Sequence, residues 1–290
     1  MAKRSCWFNP KIVVSRFNGV VDEEVDGIVK VMEECYSRLA PHDVTLVDLY
    51  VFDRSSSLEA FLAKESSEVD VASAPFDELF FAIHDAWRGT PRIALCFERM
   101  RGLPKLVQVG GIRHEVGHSV LHGSLSYYFL SLPPGLLGLM DRFSLSLEYA
   151  TNLLYLVSIA VKDYEVTRLL HERGYVEDQV AYAKHLLTVS EDDLLAWRMA
   201  QGKPLAEILC LTSGLKAPGC AVPLIFNKTH GEEINRRLKE SFSYLPPDYS
   251  SLLLKVLSED FSRLGADTLE NIEHMTNLIA ERVINPLLRG

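Results

Sequence analysis

Apolar residues Val21, Val25, Ile28, Val29, Met32, Tyr36 and Leu39 recur every three or four positions, with acidic residues between them. This spacing predicts an amphipathic helix over 20–40 that ends before Pro41. The pattern then changes. Residues 44–52 (VTLVDLYVF) are dense in β-branched and aromatic side chains and predict a strand. Ser55-Ser56-Ser57 suits the cap of a short helix through Leu62. Leu79 to Ile83 and Ile93 to Phe97 are further short strand candidates, with Gly89, Thr90 and Pro91 turning the chain between them. After Arg101-Gly102-Leu103-Pro104 a helix is expected to begin between Pro104 and Ile112 and to be capped by Gly123. Gly110-Gly111 lowers its helix propensity but permits close packing on a sheet.

Beyond Gly123 the pattern is helical almost throughout. Apolar spacing predicts one long helix over 145–173 ending at Gly174, and further helices at 176–199, 230–243, 249–264 and 268–287. Ala217-Pro218-Gly219 and Leu245-Pro246-Pro247 are expected as loops. The chain therefore reads as α+β, a small mixed sheet followed by a mainly helical part. Its division is expected at 174: residues 1–174 as the chemistry-bearing domain and 175–290 as a helical extension or lobe.

Length and composition narrow the function classes. A chain of 290 residues, 48% hydrophobic and 24% charged, is long enough to bury a sizeable core. The net charge of -9, with no block of Lys or Arg, argues against a nucleic-acid partner. Five scattered cysteines, Cys6, Cys35, Cys96, Cys210 and Cys220, form no CxxC pair and suit a reducing, cytoplasmic setting. The start, Met1 to Trp7, lacks the apolar core of a signal peptide. Leu125 to Met140 is interrupted by Ser131 and Pro133-Pro134-Gly135, and Leu153 to Val161 stops at Lys162-Asp163. Neither reaches the ~18–20 apolar residues of a spanning helix, so membrane association is not expected.

The chemistry concentrates in Arg113-His114-Glu115-Val116-Gly117-His118, continued by Ser119-Val120-Leu121-His122-Gly123. On a helix, His114 and His118 stand one turn apart on one face, a spacing that lets both imidazoles reach one Zn²⁺. Glu115 is placed to act on a water as general base. His122 lies two turns from His114, with their backbones ~12 Å apart, too far to share the same ion on an unbroken helix. It is expected to line the site beside the ligands. A His six residues after His118 is also absent, since that position is Ser124.

HEVGH resembles the active-site helix of the zincin metallopeptidases, and HEVGHSVLHG is similar to the HELGHxLLH helix of the ImmA/IrrE-type members of the gluzincin branch. The resemblance implies a zincin-like fold, a peptide or protein substrate, and a third metal ligand supplied by a carboxylate on a following helix. Glu148-x-x-x-Asn152 matches the gluzincin ExxxN pattern, with Glu148 as ligand and Asn152 orienting a ligating His. Both project along the face that carries Tyr155, Ile159, Val166 and Leu170. The segment Lys162 to Arg168 also resembles a gluzincin carboxylate helix, making Glu165 the alternative ligand and Asp163 a further one. Tyr127, Tyr128, Tyr164 and His171 are candidates by type for stabilising an oxyanion. The expected function is that of a zinc-dependent hydrolase, a metallopeptidase with Glu115 as general base. The alternative is a non-catalytic, metal-stabilised regulatory or scaffold protein that keeps the zincin helix.

Overall fold

The computed structural model describes residues 9–69 and 79–289. The fold is α+β, with a small mixed sheet and a largely helical remainder. The segment Met1–Trp7, with Cys6, lies outside the described residues. The chain divides into two compact units. The first comprises Met1–Tyr128 and Glu172–Tyr182, and the second Phe129–His171 and Ala183–Gly290. The expected boundary at 174 thus gives way to a division in which residues 129–171 group with the helical part.

The first unit holds the sheet. Its elements are β1 (Lys11–Phe17), α1 (Asp22–Leu39), β2 (Leu46–Phe52), α2 (Ser55–Val69), β3 (Ala82–Asp85), β4 (Arg92–Cys96), the short α3 (Phe97–Met100) and α4 (Lys105–His122). Strand order is β1-β2-β4-β3. β1, β2 and β4 are parallel, with Lys11 opposite Leu46 and Asp48 opposite Arg92. β3 is antiparallel to β4, with Asp85 opposite Arg92. The central β4 is buried at every residue, as expected of a strand flanked on both sides and covered by helices.

Alternation explains the two faces. Val47, Leu49 and Val51 of β2 are fully buried on one side. On the other, α2 covers β2 and β4, and Phe52, Leu58, Ala94 and Cys96 form a cluster with Phe17, Tyr50, Phe61, Leu62 and Ile83. Phe17 and Phe52 stack at 4.4 Å. α2 runs to Val69, beyond the expected end at Leu62. α1 buries Val25, Ile28, Met32, Cys35, Tyr36 and Leu39, close to the predicted stripe. Asp22, Glu23 and Glu24 in its first turn complement the helix dipole. The strand β1 was not anticipated, because Lys11, Ser15 and Arg16 blur its pattern and much of this edge is exposed.

The second unit contains α5 (Pro134–Phe143) and α6 (Leu147–Glu172, of which Glu172 belongs to the first unit), then a series of shorter helices. The single helix expected over 176–199 is two, Glu177–Leu186 and Glu191–Ala200. Ser190 and Asp193 form a capping box that starts the second. Residues 217–219, expected as loop, lie within the helical turn Lys216–Ala221. Pro218 is tolerated there because a first helical turn needs no N–H from it. The helix Pro204–Ser213 was also not anticipated. The stretch Pro204–Leu224 is long and apolar enough to cross a membrane by length and composition, but 56% of its apolar 18-residue window is buried in the fold. Cys35, Cys96, Cys210 and Cys220 take part in no disulfide.

Candidate metal centre

α4 is held in place by features of its own sequence. It packs against α1, β3 and β4. A Cβ at Gly111 would run into the ring of Phe81, and one at Gly110 into the backbone of Asp178 and Cβ of Tyr182. The paired glycines therefore allow close approach on two sides. Gln179 Nε2 donates to the Gly110 carbonyl at 3.0 Å. Arg113 bonds Glu34 of α1 at 2.8 Å and Asp178 at 3.1 Å, and its guanidinium lies 4.2 Å from the centroid of the Tyr175 ring. These contacts place Glu172–Tyr182 in the first unit. Deeper in, the Tyr36 hydroxyl is 2.6 Å from Ser119 Oγ, which itself donates to the Val116 carbonyl at 2.7 Å. Burial pushes the Tyr36 phenol above its ordinary range, so it remains protonated as the donor.

This frame presents the histidines. His114 and Glu115 are buried, His118 is half-buried and His122 is fully buried. The Nε2 atoms of His114 and His118 are 3.2 Å apart. Two nitrogens bound tetrahedrally at ~2.0–2.1 Å from one zinc stand ~3.3–3.4 Å apart, close to this separation, which is also that of a hydrogen bond between the two rings. His118 Nδ1 lies 3.2 Å from His122 Nδ1. If Nε2 of His118 offers its lone pair to a metal, Nδ1 carries the proton and donates it to His122, which takes the place that a carboxylate, carbonyl or water commonly holds beside a ligating histidine. Tyr127 meets His122 edge-on at 5.4 Å, and Tyr182 lies over His114 at the same separation.

A further histidine joins this group. His84 of β3 is parallel to His118 within 8°, at 5.8 Å between centroids, and its Nδ1 is 3.3 Å from the Tyr128 hydroxyl. Sequence reasoning missed it, since a lone His in a short strand carries no motif.

The carboxylates of α6 are distributed otherwise than the single-face argument requires. Glu148 and Asn152 are exposed, and Tyr155, expected on the buried face, is 47% exposed. From Val161 to Thr167 every residue but Lys162 is buried. A helix covered all round has no one inward face, so Asp163 and Glu165 are both enclosed although they point in different directions. Glu165 accepts from Thr268 Oγ1 at 2.7 Å and from Asn271 Nδ2 at 2.6 Å, one donor to each oxygen. Burial raises its pKa against the effect of those two bonds. Asp163 and Cys220 bring their ligand atoms within 4.8 Å of each other. A Cβ at Gly219 would meet the Ala160 carbonyl at 2.7 Å, so only glycine permits the approach that seats Cys220 there. Of the remaining candidates, Tyr164 packs on Phe261 at 5.7 Å and His171 Nε2 lies 3.3 Å from Asn227. Tyr127 and Tyr128 are the two that stand in the first unit beside the histidines.

Searches of family models, of curated proteins and of solved structures return no match to this chain.

Proposed function

We propose that the protein is a zinc-dependent hydrolase acting on peptide bonds, with His114 and His118 as metal ligands and Glu115 as general base. The observation that carries the proposal is the 3.2 Å separation of the two Nε2 atoms on a buried helix that also holds Glu115. In this reading the fold is zincin-like. Glu148 is exposed and both oxygens of Glu165 are committed to Thr268 and Asn271. Cys35, Cys96, Cys210 and Cys220, in no disulfide, suit a reducing, cytoplasmic compartment.

Zinc, when bound, supplies Lewis acidity that lowers the pKa of water and polarises a carbonyl. The residues of the chain do the rest. Glu115 takes a proton from the attacking water on a carboxylate oxygen and returns it to the leaving amine. His122, accepting from His118 Nδ1, keeps that ring in the tautomer with a free Nε2 lone pair. The peptide class is supported by β3, which ends the sheet beside His118. An edge strand offers backbone N–H and C=O groups to an extended chain.

The test is a proteome-derived peptide-library digest with zinc-loaded wild type and Glu115→Gln. Wild type is expected to cleave, and the zinc-loaded variant to lose turnover by ~10²–10⁴-fold. Equal turnover in the two proteins would remove Glu115 from the chemistry. A zinc-loaded wild type without any cleavage would leave a metal-stabilised scaffold as the reading.

A further inference from the structure

His84 is the third residue of β3, in register with Ile93 of β4. Its position is fixed by more than strand pairing. The Tyr128 hydroxyl lies 3.3 Å from its Nδ1, and the next residue, Asp85, is ion-paired to buried Arg92 at 2.8 Å. His118 meets His114 edge-on, with 4.8 Å between centroids and 78° between planes. It meets His122 at 5.3 Å and 51°. His84 supplies the parallel ring, at 8° and 5.8 Å. The His118 imidazole is thus bounded by three others, and of these His84 alone comes from outside α4.

A metal ligand must be oriented as well as located. The His122 contact acts at one edge of the His118 ring, at Nδ1. A parallel neighbour held by the sheet bears on the plane of the ring instead, since offset-stacked rings resist tilting. We propose that His84 is a positioning residue for His118, holding the plane in which Nε2 is offered to the metal. The sheet edge and the metal helix then grip one ligand between them. This rests on the zinc reading above, and its test separates the two.

Wild type, His84→Ala, His84→Phe and His118→Ala are titrated with Zn²⁺ against a chromophoric chelator, and their Co²⁺ forms are read by visible absorption. Melting of the metal-free proteins checks the fold; should His84→Ala not fold, His84→Gln, polar but without a ring, takes its place. Residues that support a ligating His alter affinity ~10–100-fold when removed. We expect His84→Ala to weaken zinc binding ~10-fold and to shift the Co²⁺ bands, and His84→Phe, which keeps a ring, to restore both. His84→Ala with wild-type affinity and spectrum would overturn the inference. So would a His84→Phe protein as impaired as His84→Ala, because the effect would then not come from the ring. Loss of metal as complete as in His118→Ala would make His84 a ligand, again contrary to the proposal. Wild type that binds neither ion would sink the zinc reading itself, whereas normal binding unaffected at His84 removes only the positioning role.

Discussion

Replacing Arg92 by Met is expected to destabilise the protein strongly, and in a pH-dependent way. The Arg92 side chain is 6% exposed and pairs with Asp85 at 2.8 Å and with Glu65, whose side chains are 15% and 10% exposed. The rings of Tyr50, Phe61 and Trp87 lie 5.4–5.5 Å from its guanidinium carbon. Removing one partner from a buried ion pair leaves charge without compensation, at a cost of about 3–5 kcal/mol. For a chain of 290 residues that corresponds to a fall in Tm of roughly 5–8 °C. Burial already raises the Asp85 pKa, with Arg92 opposing. A carboxylate with a folded pKa above its unfolded value contributes most at acid pH, and that contribution is lost as pH rises through the folded pKa. Without Arg92 the pKa climbs further, so the deficit should be largest at pH 7–8 and should narrow toward pH 5. Urea unfolding of wild type and Arg92→Met across that range measures it. The triple variant Glu65→Gln, Asp85→Asn, Arg92→Met should recover much of the loss, since no charge then stays buried. A loss under about 1 kcal/mol, or one independent of pH, would refute the reasoning.

Other perturbations test separate parts of the structure. Gly111→Ala drives a methyl into the buried Phe81 ring, so overpacking of about 1–3 kcal/mol should outweigh the ~1 kcal/mol gain in helix propensity. Gly27→Ala, at an exposed position of α1, meets nothing within 4 Å and should stabilise by ~0.5–1 kcal/mol, and thermal melts will show whether the signs differ as stated. Asn271→Ala withdraws one of the two donors from buried Glu165 and should cost about 1–3 kcal/mol in urea unfolding; an unchanged midpoint would mean that the bond contributes nothing. Chelator competition should find zinc affinity little changed in Glu148→Ala, which removes an exposed side chain, and in Glu165→Gln, whose oxygens are held by Thr268 and Asn271. Strong loss of zinc in either variant would make that residue a ligand.

The parts of this architecture legible in the sequence are those that a single periodicity governs. α1 has one buried face and six well-spaced core residues, so its limits were readable to within two residues. The histidine pair was readable because i and i+4 on a helix leave no geometric freedom. α6 defeated the same method. Its first half exposes Glu148, Asn152 and Tyr155, while its second half is covered on all sides, and no one face describes both. β1 was hidden by its edge position, and the Lys216–Ala221 turn by a proline that turns suggest and first helical turns also accept. His84 depends on antiparallel pairing at the sheet edge, a tertiary arrangement with no local signature.

Metal content decides between a zinc centre and a chance cluster of histidines. Wild type purified without chelator, and dialysed against metal-free buffer, should retain about one zinc per chain by elemental analysis, with a higher Tm than its chelator-stripped form. His114→Ala and His118→Ala, folded by circular dichroism, should retain almost none. Wild type that holds no transition metal and gains no stability when zinc is added would contradict the central claim, and so would histidine variants that bind zinc as wild type does.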